Sequence, residues 1–200
     1  MCIALLLGLP VAALLAVGKF RGDQVTRVVF NTLMSLPPVV IGLVVYLMLA
    51  RNGPFGVFGL LYTPTAMIIA QVVLITPIVV ALGVQHLESE WQRIGLQLRS
   101  LGVTRHKAIA TLYWECRLQL ATVVLAAFGR AIAEIGAVMI VGGNIDHLTR
   151  VMTTAIALET SKGNLEMALA LGAVLLLISL VVNVAVHIIS VWSGEQKARA

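Results

Sequence analysis

The chain has 200 residues, of which 60% are apolar and 12% charged, with a formal net charge of +5 and a mean hydropathy of +0.99. A soluble domain carries roughly 45–50% apolar and about 25% charged residues, so this sequence has too little charge to cover a water-facing surface. The composition excludes a soluble globule, a disordered chain and a nucleic-acid-binding protein. It predicts a polytopic membrane protein.

The side chains that usually carry chemistry are few. The chain has 2 cysteines and 4 histidines, and none of them stands in a C-x-x-C or H-E-x-x-H pattern. No G-x-x-x-x-G-K-[ST] motif is present, so we do not expect the chain to bind ATP itself. We therefore expect no catalytic, cofactor-binding or metal-ligating residue in this chain.

Five segments are candidates for membrane spans, given that a helical span needs about 20 mostly apolar residues. They are Met1–Val17, Leu33–Ala50, Thr65–Val84, Leu118–Val141 and Glu166–Trp192. We interpret the first as a membrane helix rather than a signal peptide, because no basic region precedes it. The predicted fold class is all-α, a membrane bundle of about five transmembrane helices.

The basic residues between these segments predict the orientation of the chain. Alternating spans place two loops and the C-terminal tail on one side, and that side holds ten of the 14 basic residues. They are Lys19, Arg21, Arg27, Arg93, Arg99, Arg105, Lys107, Arg117, Lys197 and Arg199. The opposite side holds Arg51, Arg150 and Lys162. Because cytoplasmic loops are enriched in lysine and arginine, we expect the N-terminus outside and the C-terminus in the cytoplasm.

The loop Gln85–Arg117 is the longest polar segment. Ser89 begins a capping-box pattern, S-x-x-Q, which predicts the start of a short helix. Gly102 would end that helix, because glycine adopts a positive φ freely, and Thr104 would cap a second one. This helix–corner–helix is typical of a site that contacts a cytoplasmic protein. The alternative is an amphipathic hairpin that rests on anionic lipid, which its basic residues also favour.

Around Gly102 the loop resembles the EAA loop of the membrane subunits of ABC importers, whose pattern is E-A-A-x3-G-x9-I-x-L-P. The sequence keeps the glycine, with Leu96-Gln97-Leu98 in place of E-A-A and Leu112-Tyr113-Trp114-Glu115 in place of I-x-L-P. In that family the glycine marks the corner of the coupling helices, which dock onto the ATP-hydrolysing subunit. The resemblance implies that the ATPase contact is made by Leu98, Arg99, Leu101, Gly102 and Arg105.

The fourth span contains two charged residues, Arg130 and Glu134. Each costs roughly 2.5–3.5 kcal/mol at the centre of a membrane helix on insertion scales, so we expect them to pair on one helix face. The pair is either a structural ion pair within the bundle or a border of the transport path, since intramembrane charges often mark such paths. In the same span Gly129, Ala133 and Ala137 form a stripe of small residues, which predicts close approach of another helix.

The segment after the fourth span predicts a turn followed by a short helix. Gly142-Gly143-Asn144 is typical of a helix C-terminus. Residues Leu148–Ser161 interleave apolar residues with threonines, a pattern that predicts a helix at the outer face. The threonine hydroxyls either satisfy backbone carbonyls or meet an oxyanion on a path with little fixed positive charge.

Two stretches resemble the permease subunit of tungstate-type ABC importers. They are GRAIAEIGAVMIVGGN at Gly129–Asn144 and TTAIALETSKG at Thr153–Gly163, with shorter likenesses at Leu7–Pro10, Asn31–Leu33 and Leu36–Pro38. The resemblance implies the type I ABC importer fold, with a transmembrane domain over residues 1–192 and a cytoplasmic tail over residues 193–200. It implies a subunit of the bacterial or archaeal cytoplasmic membrane that imports tungstate or a similar oxyanion such as molybdate. The path or gate would involve Arg130, Glu134, Asn144, Thr149, Thr153 and Thr154.

The same resemblance implies the partners. Two copies of the permease would form the pore as a homodimer, with an extracytoplasmic anion-binding protein outside and two cytoplasmic ATP-binding subunits inside. ATP and magnesium would be held by those subunits, and the remaining contacts would be with membrane lipid and not with nucleic acid. Two other functions stay open: a permease for sulfate or another anion, and a non-transporting membrane adaptor that uses the cytoplasmic hairpin as a docking site.

Overall fold

The computed structural model describes residues 1–18 and 22–198. Within these residues the chain is helical, without a β-strand, as the composition predicts. The helices there are α1 (Cys2–Val17), α2 (Asp23–Ser35), α3 (Pro38–Leu49), α4 (Pro64–Ser100), α5 (Arg105–Glu115), α6 (Arg117–Ile132), α7 (Gly136–Gly142), α8 (Met152–Ser161) and α9 (Leu165–Ala198). Of the basic residues used to predict the orientation, Lys19, Arg21 and Arg199 lie outside the described residues, as does the side chain of Lys197.

Two kinds of element could cross a membrane: single long helices and pairs of shorter helices joined at a bend. In the described part of the chain, 2 helices are long and apolar enough to cross a membrane alone: α4, and α9 over Leu165–Ala185. The number rises to 4 if each of two bent pairs, α2 with α3 and α6 with α7, counts as one span. Helix α1 is apolar but has 16 residues, which is fewer than the about 20 that a straight span needs.

The predicted boundary of the second span is wrong. We expected a polar loop up to Thr32, whereas helix α2 already begins at Asp23 and ends at Ser35. Helix α3 begins after Pro37. Residues that precede a proline are disfavoured in the α conformation, so Pro37 and the proline after it end α2. Helix α2 begins earlier than predicted because Asp23 lies in its first turn. A negative charge is favourable at a helix N-terminus, where the free amides carry partial positive charge.

The predicted third span and the first half of the polar loop form one helix. Helix α4 runs over 37 residues, from Pro64 to Ser100. The separate helix that we expected to start at Ser89 is therefore wrong, and Ser89 is not an N-cap. Residues 85–100 contain no proline and one glycine, so helix propagation continues at little cost through this segment.

The described residues form two compact units, each with its own packing. The first contains Met1–Ser35, Ile75–Phe128 and Ala185–Ala200, apart from the residues outside the description. Within it, α1 and α4 approach closely where α1 has a glycine: a methyl group on Gly8 would lie 2.7 Å from Val79 Cγ1. Such small residues let membrane helices pack with their backbones near one another.

Arg27 of α2 links three helices of this first unit. Its guanidinium donates a 2.9 Å hydrogen bond to Asp23 and a 2.8 Å hydrogen bond to the carbonyl of Leu15 in α1. It also donates to the carboxylate of Glu88 in α4. Because one rigid guanidinium serves all three acceptors, the ends of α1 and α2 are held against the middle of α4.

The second unit contains Leu36–Leu74 and Gly129–Val184 and has an apolar core shared by α3, α7 and the start of α4. Its buried members are Ile41, Val45, Leu49, Ala66, Met67, Ala70, Leu74, Ala137, Val138 and Val141. Helices α3 and α7 approach closely, and a methyl group on Gly42 would lie 2.6 Å from Ala137 Cα. At Gly42 the two helices therefore touch without a larger side chain between them.

The small-residue stripe predicted in the fourth span is only partly a packing surface. Ala137 is fully buried against Gly42. Gly129 has nothing within 4 Å of an added methyl group, and Ala133 is exposed and lies between α6 and α7. The prediction is wrong for Gly129 and Ala133 because the helix does not continue through the stripe, so the three residues do not share one face.

Candidate functional site

The corner between α4 and α5 is a helix C-cap built on Gly102. The amide of Val103 donates to the Leu98 carbonyl at 3.1 Å and the amide of Gly102 donates to the Arg99 carbonyl at 3.0 Å. Gly102 has φ +65°, the left-handed conformation that glycine adopts without steric cost. These contacts confirm Gly102 as the corner. Helix α5 then starts after Thr104, which is the predicted N-cap position, although its side chain makes no capping hydrogen bond.

The predicted coupling residues surround this corner in two layers. Leu101 is 76% exposed at the tip, where an apolar side chain is available to a partner. Leu98, Arg99 and Arg105 line a cavity of about 330 Å³ behind the tip. The Arg99 guanidinium lies 5.3 Å from the centre of the Trp91 ring in the same helix, a favourable cation–π distance. The structure therefore brings all five predicted coupling residues into one local corner.

Arg105 connects the corner to the end of α1. A methyl group on Gly18 would lie 2.5 Å from Arg105 Nη2, so the guanidinium occupies the space beside Gly18, the C-cap of α1. A cation is favourable there because the carbonyls at a helix C-terminus carry partial negative charge. Trp91 and Gly18 were not among the predicted residues, and only the tertiary contact identifies them.

The predicted ion pair between Arg130 and Glu134 is wrong. Helix α6 ends at Ile132, so the two residues are not on one helix face. Instead, Glu134 Oε1 accepts a 2.8 Å hydrogen bond from the amide of Ala137 in the first turn of α7. A carboxylate satisfies the free amides at a helix N-terminus well, and this local interaction takes the place of the pair. No ion pair or hydrogen bond involves Arg130 within the described residues, and its buried Nε is left without a partner there.

The three predicted threonines are buried, and their hydroxyls bind the backbone. Thr149 donates to the carbonyl of Gly142 at 2.6 Å and accepts from the amide of Ile145 at 2.8 Å. Thr153 donates to the carbonyl of Glu134 at 3.1 Å. Thr154 bonds both the amide and the carbonyl of Val151 at 3.0 Å. Of the two interpretations considered for these hydroxyls, the satisfaction of backbone groups is the one that the contacts show.

Asn144 ends the turn after α7. Its φ is +51°, in the left-handed region that asparagine tolerates better than most residues, and Gly143 before it has φ +69°. The predicted helix C-terminus is thus confirmed. Asn144 Oδ1 is buried without a hydrogen-bond partner in the described structure.

Glu134 and Thr153 meet beside a cavity of the second unit. The cavity has a volume of about 350 Å³, and three of its lining residues are polar: Gln71, Glu134 and Thr153. The others include Met67, Val138, Leu148, Met152 and Leu175. Arg130, Asn144, Thr149 and Thr154 do not line it. Gln71 was missed, since a lone glutamine within an apolar span has no distinctive sequence signal.

Comparison with known proteins agrees with this architecture. A family model described as "Binding-protein-dependent transport system inner membrane component" matches residues 4–192. The chain is 43% identical over 182 residues to the "Probable anion ABC transporter permease protein" of Haloferax volcanii, which covers 88% of this chain and 78% of that protein.

Two further relatives carry a more specific name. The "Tungstate uptake system permease protein TupB" of Peptoclostridium acidaminophilum is 43% identical over 188 residues, covering 92% of this chain and 81% of that protein. The protein of the same name from Campylobacter jejuni is 40% identical over 169 residues, covering 84% of this chain and 71% of that protein.

These matches confirm the family resemblance seen in the sequence. They identify a multi-pass permease subunit of the inner membrane with the type I ABC importer fold. Such a permease is not itself an enzyme, and it works with a separate ATPase subunit and a binding protein. The chain therefore belongs to the family of binding-protein-dependent transport system inner membrane components.

Proposed function

We propose that the chain is the pore-forming permease subunit of an ATP-driven importer for tungstate or a similar tetrahedral oxyanion such as molybdate. The observation that carries this proposal is the 40–43% identity to permeases named for tungstate or anion transport. The matches extend over at least 84% of the chain, so they include both the Gly102 corner and the broken fourth span.

The corner at Gly102 supports a coupling role for the loop 85–117. In this proposal the loop is cytoplasmic, the N-terminus is outside and the C-terminal tail, residues 193–200, is inside. Two copies of the chain form the pore, each copy contacts one of two ATP-binding subunits, and an extracytoplasmic anion-binding protein delivers the cargo. The exposed Leu101 tip and the Arg99 and Arg105 guanidinium groups behind it supply an apolar and basic contact for the ATPase.

The second unit supplies the proposed path or gate. Arg130 has no acidic partner among the described residues, because Glu134 is bound to the α7 backbone. An unpaired intramembrane guanidinium is favourable only where it meets an anion or water. Glu134, Asn144 and the three threonines shape the segments around the break rather than offering free donors to the cargo.

The substrate is tested by uptake into proteoliposomes that contain the permease, its ATPase and its binding protein. We expect ATP-dependent tungstate uptake that excess molybdate reduces more strongly than excess sulfate. Uptake of sulfate in preference to both would contradict the proposed substrate but keep the permease role. Absence of ATP-dependent uptake of any of the three anions would favour the adaptor.

The coupling role is tested in the same vesicles with Gly102→Pro combined with Arg99→Glu. We expect loss of both uptake and binding-protein-stimulated ATP hydrolysis, while the assembled complex persists. Arg93→Gln is the matched control, because Arg93 is 66% exposed and pairs with Glu90 on the same helix. Wild-type transport in the double variant would overturn the coupling assignment.

The orientation is tested by labelling single cysteines in a chain whose Cys2 and Cys116 are replaced. A membrane-impermeant thiol reagent added outside should label the His147→Cys variant, since the His147 side chain is 96% exposed, and should not label the Lys107→Cys variant. The reverse pattern would overturn the proposed topology.

A further inference from the structure

An apolar groove with one basic end lies on the first unit. The groove has a volume of about 570 Å³ and is formed by α1 together with α5 and the first turns of α6. Its apolar lining is Leu5, Leu6, Leu9, Pro10, Leu120, Ala121 and Val124, and its polar lining is Tyr113 and Arg117.

The two polar lining residues come from consecutive helices, Tyr113 from α5 and Arg117 from the start of α6. Arg117 is the first residue of α6, whereas Ala121 and Val124 follow along the same helix. With a rise of 1.5 Å per residue, the apolar part extends roughly 10 Å beyond Arg117, about a third of the hydrocarbon thickness of a bilayer. The groove is thus basic at one end and apolar along the rest of its length. This matches an anionic lipid, which has a charged headgroup at one end and apolar acyl chains beyond it.

The Arg117 guanidinium has donors to spare. Its Nη1 donates to the carbonyl of Trp114 at 2.8 Å, and its centre lies 4.6 Å from the centre of the Trp114 ring. No carboxylate pairs with it in the described part of the chain. Trp114 is 66% exposed, and an exposed tryptophan beside an arginine is typical of the membrane interface.

Two lining residues of the groove are bonded to each other. The Tyr113 hydroxyl donates a 2.8 Å hydrogen bond to the carbonyl of Leu9, which ties α5 to α1 at the groove. A groove held open in this way loses little conformational freedom when it is filled.

We propose that this groove is a binding site for an anionic phospholipid, with an acyl chain between α1 and α6 and the phosphate at Arg117. Charge complementarity favours this occupant over a second copy of the chain, since burying an unpaired guanidinium in a protein interface is costly. A lipid phosphate neutralises that charge, and basic pockets between membrane helices on the cytoplasmic side bind acidic headgroups. The proposal rests on the proposed orientation, which puts Arg117 at the anionic cytoplasmic leaflet.

Native mass spectrometry of the full chain in detergent, titrated with phosphatidylglycerol or phosphatidylcholine, tests the site. We expect phosphatidylglycerol to be retained preferentially, and Arg117→Gln to lower its apparent affinity about fivefold, the value of one basic contact at a membrane surface. Lys107→Gln makes the same change in net charge on the same segment without touching the groove, and it should leave retention unchanged. Equal retention by Arg117→Gln and Lys107→Gln would overturn the headgroup assignment.

A second variant tests the apolar part and remains informative if Arg117→Gln does not fold. Ala121→Phe fills the groove and should reduce the retention of both lipids. Undiminished lipid retention, or a dimer that disappears in Ala121→Phe without loss of lipid, would overturn the proposal. Lipid retention is measured without transport. A negative result for lipid binding is therefore separate from a negative result in the uptake assay, which tests the proposed import function.

Discussion

The hydroxyl of Thr153 donates a 3.1 Å hydrogen bond to the backbone carbonyl of Glu134, at the break between α6 and α7. A carbonyl at a helix break has lost its intrahelical partner, and within a membrane no water replaces it cheaply. Helix α8 thus stabilises the broken span from outside the span.

This relationship predicts the effect of Thr153→Val. The substitution keeps the side-chain shape and leaves the buried Glu134 carbonyl without its donor, which should lower the free energy of unfolding by about 1–3 kcal/mol. Thermal unfolding in detergent measures it. Thr160→Val is the matched control on the same helix, since Thr160 is exposed and bonds only its own helix. An equal effect of the two substitutions would contradict the role of Thr153.

The contact between α3 and α7 predicts that Gly42 tolerates no side chain. Gly42→Val should separate the two helices and lower stability by about 1–3 kcal/mol, because even a methyl group would lie 2.6 Å from Ala137 Cα. Gly129→Ala has open space around it and should be neutral or stabilising by roughly 0.5–1 kcal/mol. Equal thermal stability of the two variants would show that the close contact is absent.

The Arg27 contacts predict a strong energetic coupling in the first unit. Arg27→Met should lower stability by about 1.5–3 kcal/mol, since it leaves the half-buried Glu88 without its charged donor. Arg93→Met removes an exposed pair of the kind worth about 0–1 kcal/mol. In a double-mutant cycle, Glu88→Gln should cost little once Arg27 has been replaced; additive losses would argue against a direct link.

The end of α8 predicts a pH dependence. Hydrogen bonds from Lys162 and Asn164 lower the pKa of Glu159, which lies outside the candidate membrane spans. A lowered pKa in the folded state means that the carboxylate stabilises the fold above the ordinary glutamate pKa of about 4.3 and that this contribution is lost as the pH falls through the folded value. The free energy of unfolding of the wild type should therefore fall as the pH is lowered from neutral into the acid range. In Glu159→Gln the fall should be smaller. If the free energy of unfolding depended on pH equally in the variant and the wild type, the lowered pKa of Glu159 would be contradicted.

Local sequence signals predicted the helix ends that depend on glycine. Gly102 and Gly143 both adopt a positive φ at the end of a helix, and the need for such a residue is visible in the sequence itself. The family resemblance, and with it the fold class, followed from continuous motifs in the same way.

The sequence was less informative where two local interactions compete. Arg130 is four residues before Glu134, a spacing that permits an ion pair only if the helix continues. Glu134 bonds the amide of Ala137 instead, and nothing in the spacing distinguishes a pair partner from a cap. Contacts between distant segments, such as Gly42 with Ala137 or Arg105 beside Gly18, leave no periodic pattern and appear only once the chain is folded.

The backbone contact at Gly42 also restricts how the chain can move during transport. At Gly42 the backbone of α3 touches Ala137 of α7 with no room for a larger side chain, so neither helix can slide past the other at this point without a steric clash. Helices α3 and α7 must therefore move as one rigid body, and the hinges of the cycle must lie in the connections on either side of them. The segment Leu36–Pro37 before α3 and the turn Gly143–Asn144 after α7, both already non-helical, are where backbone rotation meets the least resistance.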